Sequence, residues 1–327
     1  MKILRLGIIG TGRIANRFVP ELGFVPQIKP VIVCNPHLES ARKFADQYGV
    51  ARYTQQVEDL AGIVDAVYIA SPHETHYEYA KYLLSNGIHV LCEKPMAFSE
   101  QQAAELFQIA RQQKCILMEG IKTAYCPGFQ KILELVGAGT IGEVRDVEAC
   151  FSRLYSGNTR ELRDTVYGGS YTEYGTYTLL PIVKLLGTNN IDAYHWSLKG
   201  DTGVDIYTKR SIVYEQAIAT AKTGLGVKSE GQLVIAGTKG YILVPSPWWL
   251  TQKIEVRYED PNQIDVYETP FEGQGLRYEI RAFVDKITML RDHDWKNVMY
   301  QPSGVTPEES IWLAGQIGSG IGIFDEK

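Results

Sequence analysis

The sequence predicts an α/β fold in two parts: a doubly wound parallel sheet, then a second α/β domain with a different strand pattern. Three features carry that expectation. Residues 3–9 are a compact apolar run that ends at a glycine turn and opens a helical pattern. Through residue 120, short apolar runs alternate with amphipathic stretches, the signature of βαβ units. After about residue 122 the alternation stops, and β-rich runs follow one another across short turns, as in an antiparallel or mixed sheet. The domains are therefore set at 1–122 and 123–327.

Buried strands are expected over 3–9, 31–34, 65–70, 88–92 and 115–118, each a short apolar run between helical patterns. Helices are expected over 14–22, 38–48, 74–85 and 100–113. Ser99 with Gln102 has the spacing of a capping box, and Gly87 stands where a helix-terminating glycine belongs. In the second half, helical patterns cover 129–136, 172–186 (interrupted by Gly175 and Pro181), 278–290 and 307–318. Strands are expected over 142–152, 211–219 and 232–236, with a turn at Thr238-Lys239-Gly240.

Composition narrows the class. Hydrophobic residues make up 45% and charged residues 22%, enough apolar material for two cores. The net charge of −5 and pI near 5.8 argue against nucleic acid or an anionic membrane as partner. No basic run with interleaved aromatics appears, and no apolar run reaches the ~18 residues of a membrane helix. The opening MKILRLGIIG resembles a signal peptide only superficially. Gly7, Gly10, Gly12 and Arg13 break it, so a buried strand is expected there. Cys34, Cys92, Cys115, Cys126 and Cys150 form no C-x-x-C pair, which suits free thiols in a reducing cytoplasm. His73 and His76 are the one close histidine pair. No cysteine lies at metal-motif spacing from them, so no metal site is expected.

The strand ends carry the chemistry-bearing motifs. Gly10-Thr11-Gly12-Arg13-Ile14-Ala15 fits the G-x-G-x-x-G/A turn of a Rossmann dinucleotide site. Gly10 permits the tight turn, Gly12 lets a pyrophosphate approach, and Ala15 allows close helix–strand packing. Arg13 and Ile14 open the helix whose N-terminus favours the anion. The acidic residue expected at the end of the second strand is missing; Asn35-Pro36-His37 stands there. Without an arginine beside Asn35, the expectation leans to NAD. Arg13, His37 and Arg42 are the cations that would serve NADP. Ser71-Pro72-His73-Glu74-Thr75-His76 follows another strand and reads equally as a ligand-binding edge or an ordinary helix start. Glu93-Lys94-Pro95 follows the next, with the proline restricting the backbone of Lys94.

In combination these pieces resemble the Gfo/Idh/MocA family, named for glucose–fructose oxidoreductase, inositol dehydrogenase and rhizopine catabolism. The resemblance runs over nearly the whole chain. It is carried by the glycine turn, Ser71-Pro72 with His76, Glu93-Lys94-Pro95, Glu119 and the stretch 168–177. It implies an N-terminal Rossmann domain that binds NAD or NADP. It also implies a C-terminal domain with a large, open, mostly antiparallel sheet that commonly builds homo-dimers or homo-tetramers. Gly10, Gly12, Arg13, Ile14, Ala15, Asn35, Ser71, Pro72, His73, His76, Glu93 and Lys94 would then line the cofactor. Relatives usually carry aspartate and, four residues on, histidine or tyrosine where this chain has Glu173 and Tyr177. They often carry tryptophan and arginine where it has Lys122 and Ala124.

The chemistry so implied is reversible oxidation of a secondary alcohol on a sugar, polyol or sugar derivative. Tyr177 is the proton-transfer candidate, with Lys94 polarising the oxygen and lowering the phenol's pKa. The reverse assignment stays open, because the two would titrate as a coupled pair. Glu173, one helical turn from Tyr177, would orient Lys94 or hold a substrate hydroxyl. Tyr125, Tyr155, Trp248 and Trp249 are candidates for stacking on a sugar face, and Lys122 for an acidic substrate group. Two alternatives stand beside this reading. One is a dihydrodiol dehydrogenase or an imine or enone reductase on the same scaffold; the other is a non-catalytic, cofactor-sensing regulator.

Overall fold

The protein is described by a computed structural model covering residues 3–321. The chain divides into two compact units, Met1–Lys122 with Glu272–Ser310, and Thr123–Phe271 with Ile311–Lys327. No described helix is long and apolar enough to cross a membrane.

The first unit is built on six parallel strands: β1 (Leu4–Ile9), β2 (Ile28–Cys34), β3 (Arg52–Thr54), β4 (Ala66–Ile69), β5 (His89–Glu93) and β6 (Leu117–Gly120). Their order is β3-β2-β1-β4-β5-β6. Strand β4 is buried along its whole length, as a central strand covered on both faces must be. Helices α1 (Arg13–Leu22), α2 (Leu38–Tyr48), α3 (His76–Ser85) and α4 (Glu100–Gln112) connect the strands. The strand order reverses between β1 and β4, which opens a crevice at their carboxyl ends. Five of the six strands lie where the apolar runs were expected. β3 was not foreseen: it is three residues long, with Arg52 and Tyr53 exposed, and leaves no apolar run. The Ser99 side chain accepts the Gln102 N–H at 3.1 Å, while the return bond goes from the Phe98 N–H to the Gln102 side chain, one residue before the position a full box uses.

The expected boundary assigned everything from 123 to 327 to a second domain. The structure instead groups 272–310 with the first unit. Two helices of this segment, α7 (Leu276–Met289) and α8 (Trp295–Met299), return to the parallel sheet's layer. The physical cause is a buried ion pair: Arg277 Nε donates to Glu21 on α1 at 2.8 Å, and the Gln274 and Arg277 N–H groups reach the same carboxylate. Trp295 adds a bond to the Cys115 carbonyl at 2.6 Å.

The second unit holds an eight-stranded sheet of β7 (Val144–Ser152), β8 (Asp192–Lys199), β9 (Asp205–Val213), β10 (Ile218–Gly224), β11 (Leu233–Gly237), β12 (Tyr241–Val244), β13 (Lys253–Arg257) and β14 (Ile264–Glu268). The order is β14-β13-β12-β11-β7-β10-β9-β8, antiparallel throughout except for β7 with β10. Helix α5 (Pro127–Gly137) packs on β13, and α6 (Ser170–Leu186) lies across β7, β9 and β10. The last helix, α9 (Pro307–Ile321), begins in the first unit and continues in the second. Gly175 within α6 has a packing reason, since a Cβ there would stand 2.6 Å from Ile317 of α9. The run 211–219, expected as one strand, is instead the end of β9, a tight turn at Glu215-Gln216 and the start of β10. The Tyr214 N–H bonds the Ala217 carbonyl at 2.9 Å across that turn. No glycine, asparagine or proline marks it, so the apolar run read through.

Candidate active site

The carboxyl ends of the parallel strands bring the expected motifs of the first unit to one edge. Two glycines there differ in what the protein itself requires of them. Gly10 has φ +97°, and a Cβ on it would stand 2.6 Å from the Ala70 carbonyl carbon at the end of β4. Its glycine is needed by the fold. Gly12 has an ordinary φ of −78° and is exposed, and a Cβ on it would meet nothing within 4 Å. No packing demands a glycine at this place. It caps α1 without a side chain, leaving the helix N-terminus facing open space. An open, side-chain-free helix start behind a strand–turn is what a dinucleotide pyrophosphate fits. Ala15 is fully buried, as close helix–strand packing requires, while Arg13 is exposed and Ile14 half-buried.

Asn35 supports the turn from the side. Its Nδ2 donates to the Thr11 hydroxyl at 2.9 Å, and its Oδ1 accepts the His37 N–H at 2.9 Å. Asn35 stands where a ribose-binding carboxylate would be. Arg42 is paired with Glu39 and Asp46 on its own helix. At the end of β4, the Ser71 hydroxyl shares a 2.6 Å bond with Thr75, Pro72 is exposed and His73 half-exposed. His76 was expected among the cofactor contacts. It is fully buried, with Nδ1 2.8 Å from the Pro95 carbonyl oxygen and Nε2 3.0 Å from that of Ser71. Its ring braces two strand-end loops against each other.

Strand β5 ends in Glu93, and Lys94 follows across from a cis Lys94–Pro95 peptide. Both side chains are largely buried, at 7% and 8% exposure, where lysine and glutamate are ordinarily solvated. Glu93 accepts the Tyr68 hydroxyl at 2.7 Å and the Lys94 N–H at 3.3 Å. Burial raises its carboxyl, and Lys94 opposes that rise. Glu119 on β6 accepts the Met96 N–H at 3.0 Å, and burial pushes its carboxyl up to about 7. Lys122, expected to meet an acidic substrate group, donates instead to the Gln274 carbonyl at 2.7 Å and acts electrostatically on Glu93 and Glu279.

In the second unit, α6 presents a narrow face. Between residues 170 and 183 every side chain is buried except Glu173 and Tyr177. They stand one helical turn apart, so they share that face. The Tyr177 ring lies 5.4 Å from Phe151, which also stacks on Tyr174 at 4.0 Å and on Trp249 at 3.6 Å. Tyr155 packs against the same group and is half-exposed. Burial and the bond with Tyr155 push the Tyr174 phenol well above its ordinary value.

Two stacking candidates need correction. Trp248 is fully buried, and its indole N–H is spent on the Cys150 carbonyl at 2.9 Å, so it is a core residue. Tyr125 is 8% exposed and offers little ring face to a ligand. The half-exposed neighbour Trp249, stacked on Phe151, is the aromatic that remains available. Tyr68 and Glu279 were missed. Glu279 had a signal: an acidic residue standing in the apolar stripe of Leu276, Ile280, Phe283 and Ile287 on α7. Among the described residues, no group of three or more His, Cys, Asp or Glu side chains is arranged to hold a metal ion.

Residues 4–121 match the family model described as an oxidoreductase family with an NAD-binding Rossmann fold. Along most of its length the chain is similar to curated proteins. It is 28% identical over 288 residues to a trans-1,2-dihydrobenzene-1,2-diol dehydrogenase of Xenopus laevis, covering 84% of this chain and 86% of that one. It is also 28% identical over 296 residues to a scyllo-inositol 2-dehydrogenase (NADP(+)) of Bacillus subtilis, covering 87% and 88%. Among solved structures, a 3-ketoreductase from Actinomadura kijaniata, in complex with NADP and TDP-benzene, superposes with a TM-score of 0.82 at 22% identity, covering 97% of both chains. A UDP-N-acetylglucosamine 3-dehydrogenase from Acidithiobacillus ferrooxidans does so with 0.79 at 20% identity, covering 99% of both. At such identities the structural likeness speaks for the fold.

Proposed function

We propose that this chain is a Gfo/Idh/MocA-type oxidoreductase, as the match of residues 4–121 to that family's NAD-binding model supports, and that it interconverts a secondary alcohol and a ketone on a sugar, polyol or sugar-derived substrate. The observation that carries this reading is Lys94, a lysine held largely buried at the carboxyl end of β5 with acidic groups around it. Packing alone favours a solvated lysine, and a buried, charge-coupled one at a sheet's ligand edge marks a reacting site. The bound nicotinamide supplies the hydride chemistry. Gly12 and the start of α1 hold the pyrophosphate. Tyr177 takes the substrate hydroxyl's proton during oxidation and returns it during reduction, Lys94 polarises that oxygen, and Glu173 holds a neighbouring hydroxyl.

A second reading is oxidation of a trans-dihydrodiol. The half-exposed Trp249 stacked on Phe151, with Tyr177 beside them, suits a flat ring as well as a sugar face. The dihydrodiol dehydrogenase relatives support it at 26–28% identity. For the cofactor, the lean to NAD rests on the missing arginine beside Asn35. Dissociation constants for NAD and NADP test it, and a clear preference for NADP makes Arg13 or His37 the phosphate partner. The open face of the eight-stranded sheet, with Tyr194, Trp196, Leu198 and Ile218 exposed, supports a homo-dimer or homo-tetramer. The five buried free cysteines support a cytoplasmic location.

The deciding experiment is turnover by Lys94→Ala and Tyr177→Phe across inositols, sugars, sugar acids and a dihydrodiol. Loss of a proton-transfer group typically lowers the rate by ~10²–10⁴-fold. Each variant should lose turnover by that order and keep its cofactor affinity. Undiminished turnover in Tyr177→Phe leaves the proton transfer to Lys94. Tight cofactor binding with no turnover in the parent protein overturns the enzyme reading in favour of a regulator.

A further inference from the structure

One buried carboxyl, neighbour to Glu93, has no part in the reading above. Glu279 lies on the apolar stripe of α7, is entirely buried, and neither of its carboxyl oxygens has a hydrogen-bond partner. The charged groups that reach it are Glu93, at the end of β5, and Lys122, just after β6. Of the other charges on α7, Arg281 and Asp285 lie on its exposed face and the buried ones are committed elsewhere. Arg277 bonds Glu21 of α1, and Lys286 donates to the Val298 carbonyl of α8 at 2.9 Å. Glu119 faces the Met96 N–H and Ser310.

A buried carboxylate without hydrogen bonds is among the least tolerable charges in a protein interior. Burial, reinforced by the neighbouring Glu93, holds the Glu279 carboxyl well above the usual carboxylate range, and Lys122 offsets only part of this. Glu93 is the better seat for a negative charge. It has the Tyr68 hydroxyl, the Lys94 N–H and two lysine ammonium groups to stabilise it.

We propose that Glu279 is a positioning residue held as the neutral acid, so that the Glu93–Glu279 pair carries one negative charge, kept on Glu93 beside Lys94. A second charge would repel the one on Glu93 and draw Lys122 away from the Gln274 carbonyl. The consequence for turnover rests on the Lys94 reading given above. The charge state of Glu279 does not.

The test uses the full chain and Glu279→Gln, which keeps shape and removes the titration. Infrared spectra of the folded protein at neutral pH should show a protonated-carboxyl band that the variant lacks. Stability adds a second readout. A carboxyl whose pKa is raised by folding keeps its proton where the unfolded chain has released it, so stability falls as pH rises from the ordinary glutamate range towards the folded value. The Tm of Glu279→Gln relative to the parent should therefore climb with pH. Glu93→Gln, by removing the repelling neighbour, should move the titration of the infrared band to lower pH. Where cofactor and substrate are turned over, the alkaline limb of the rate profile should lose one ionisation in Glu279→Gln. Should the amide not fit, Glu279→Met gives the same two readouts. An unchanged infrared spectrum with a Tm difference flat in pH overturns the proposal. A lost band and a climbing Tm difference in a protein that oxidises none of the substrates uphold the proposal and overturn the enzymatic reading instead.

Discussion

The strand-end edge of the parallel sheet and the exposed face of α6 both carry polar side chains, but these are supported in opposite ways. At the sheet edge, Glu93, Lys94 and Glu119 are buried, and burial raises both carboxyls. On α6, Glu173 and Tyr177 stand half-exposed on a helix whose other side chains, from 170 to 183, are buried. Each region also contains a pair of like residues of which the fold needs only one: Gly10 and Gly12 in the first unit, Trp248 and Trp249 in the second. Residue type alone therefore does not separate support from function. What a neighbour would meet on substitution does.

The largest separation is expected between the tryptophans. Trp248→Ala empties a fully buried site and leaves the Cys150 carbonyl without its donor, a loss of ~3–5 kcal/mol by urea denaturation. Trp249→Ala removes one stacked contact, worth about 1 kcal/mol, and should instead weaken substrate binding. Equal destabilisation by the two would erase the distinction drawn between them.

The glycines come next. Gly10→Ala forces a side chain into the Ala70 backbone at a positive φ, at a cost of ~2–5 kcal/mol. Gly12→Val costs only about 1 kcal/mol as a poorer cap, yet should abolish cofactor binding. Unchanged cofactor affinity in folded Gly12→Val would remove the case for a pyrophosphate at this turn. The smallest effect belongs to Glu173→Gln. A group that only holds a hydroxyl should cost about tenfold in kcat/KM, well short of Tyr177→Phe. A loss as large as that of Tyr177→Phe would place Glu173 in the proton transfer itself.

Much of this was legible in the sequence because it depends on short-range pattern. The parallel strands are continuous apolar runs, and the glycine turn and the Glu93-Lys94-Pro95 corner are contiguous in the chain. The Glu173–Tyr177 face needed only helical spacing. What was not legible depends on long-range partners. Trp248 looked like a stacking platform, and its full burial and bond to Cys150 show it to be core. His76 and Lys122 looked available for ligands, and each is held by backbone carbonyls remote in sequence. The hairpin within 211–219 went unseen because its turn uses Glu215 and Gln216, which carry no turn signal.

The return of residues 272–310 to the first unit bears on how the chain is made. Glu21 sits buried on α1, but its partner Arg277 is synthesised some 250 residues later. A ribosome adding ~5–20 residues per second spends roughly 10–40 s between completing Lys122 and reaching Ser310. Until α7 is made, late in that interval, the nascent parallel sheet lacks the partner of Glu21, and the apolar flank of α1 faces water. The amino-terminal half therefore emerges first but is finished late. During synthesis the second unit's sheet is complete while the first still waits for its last two helices.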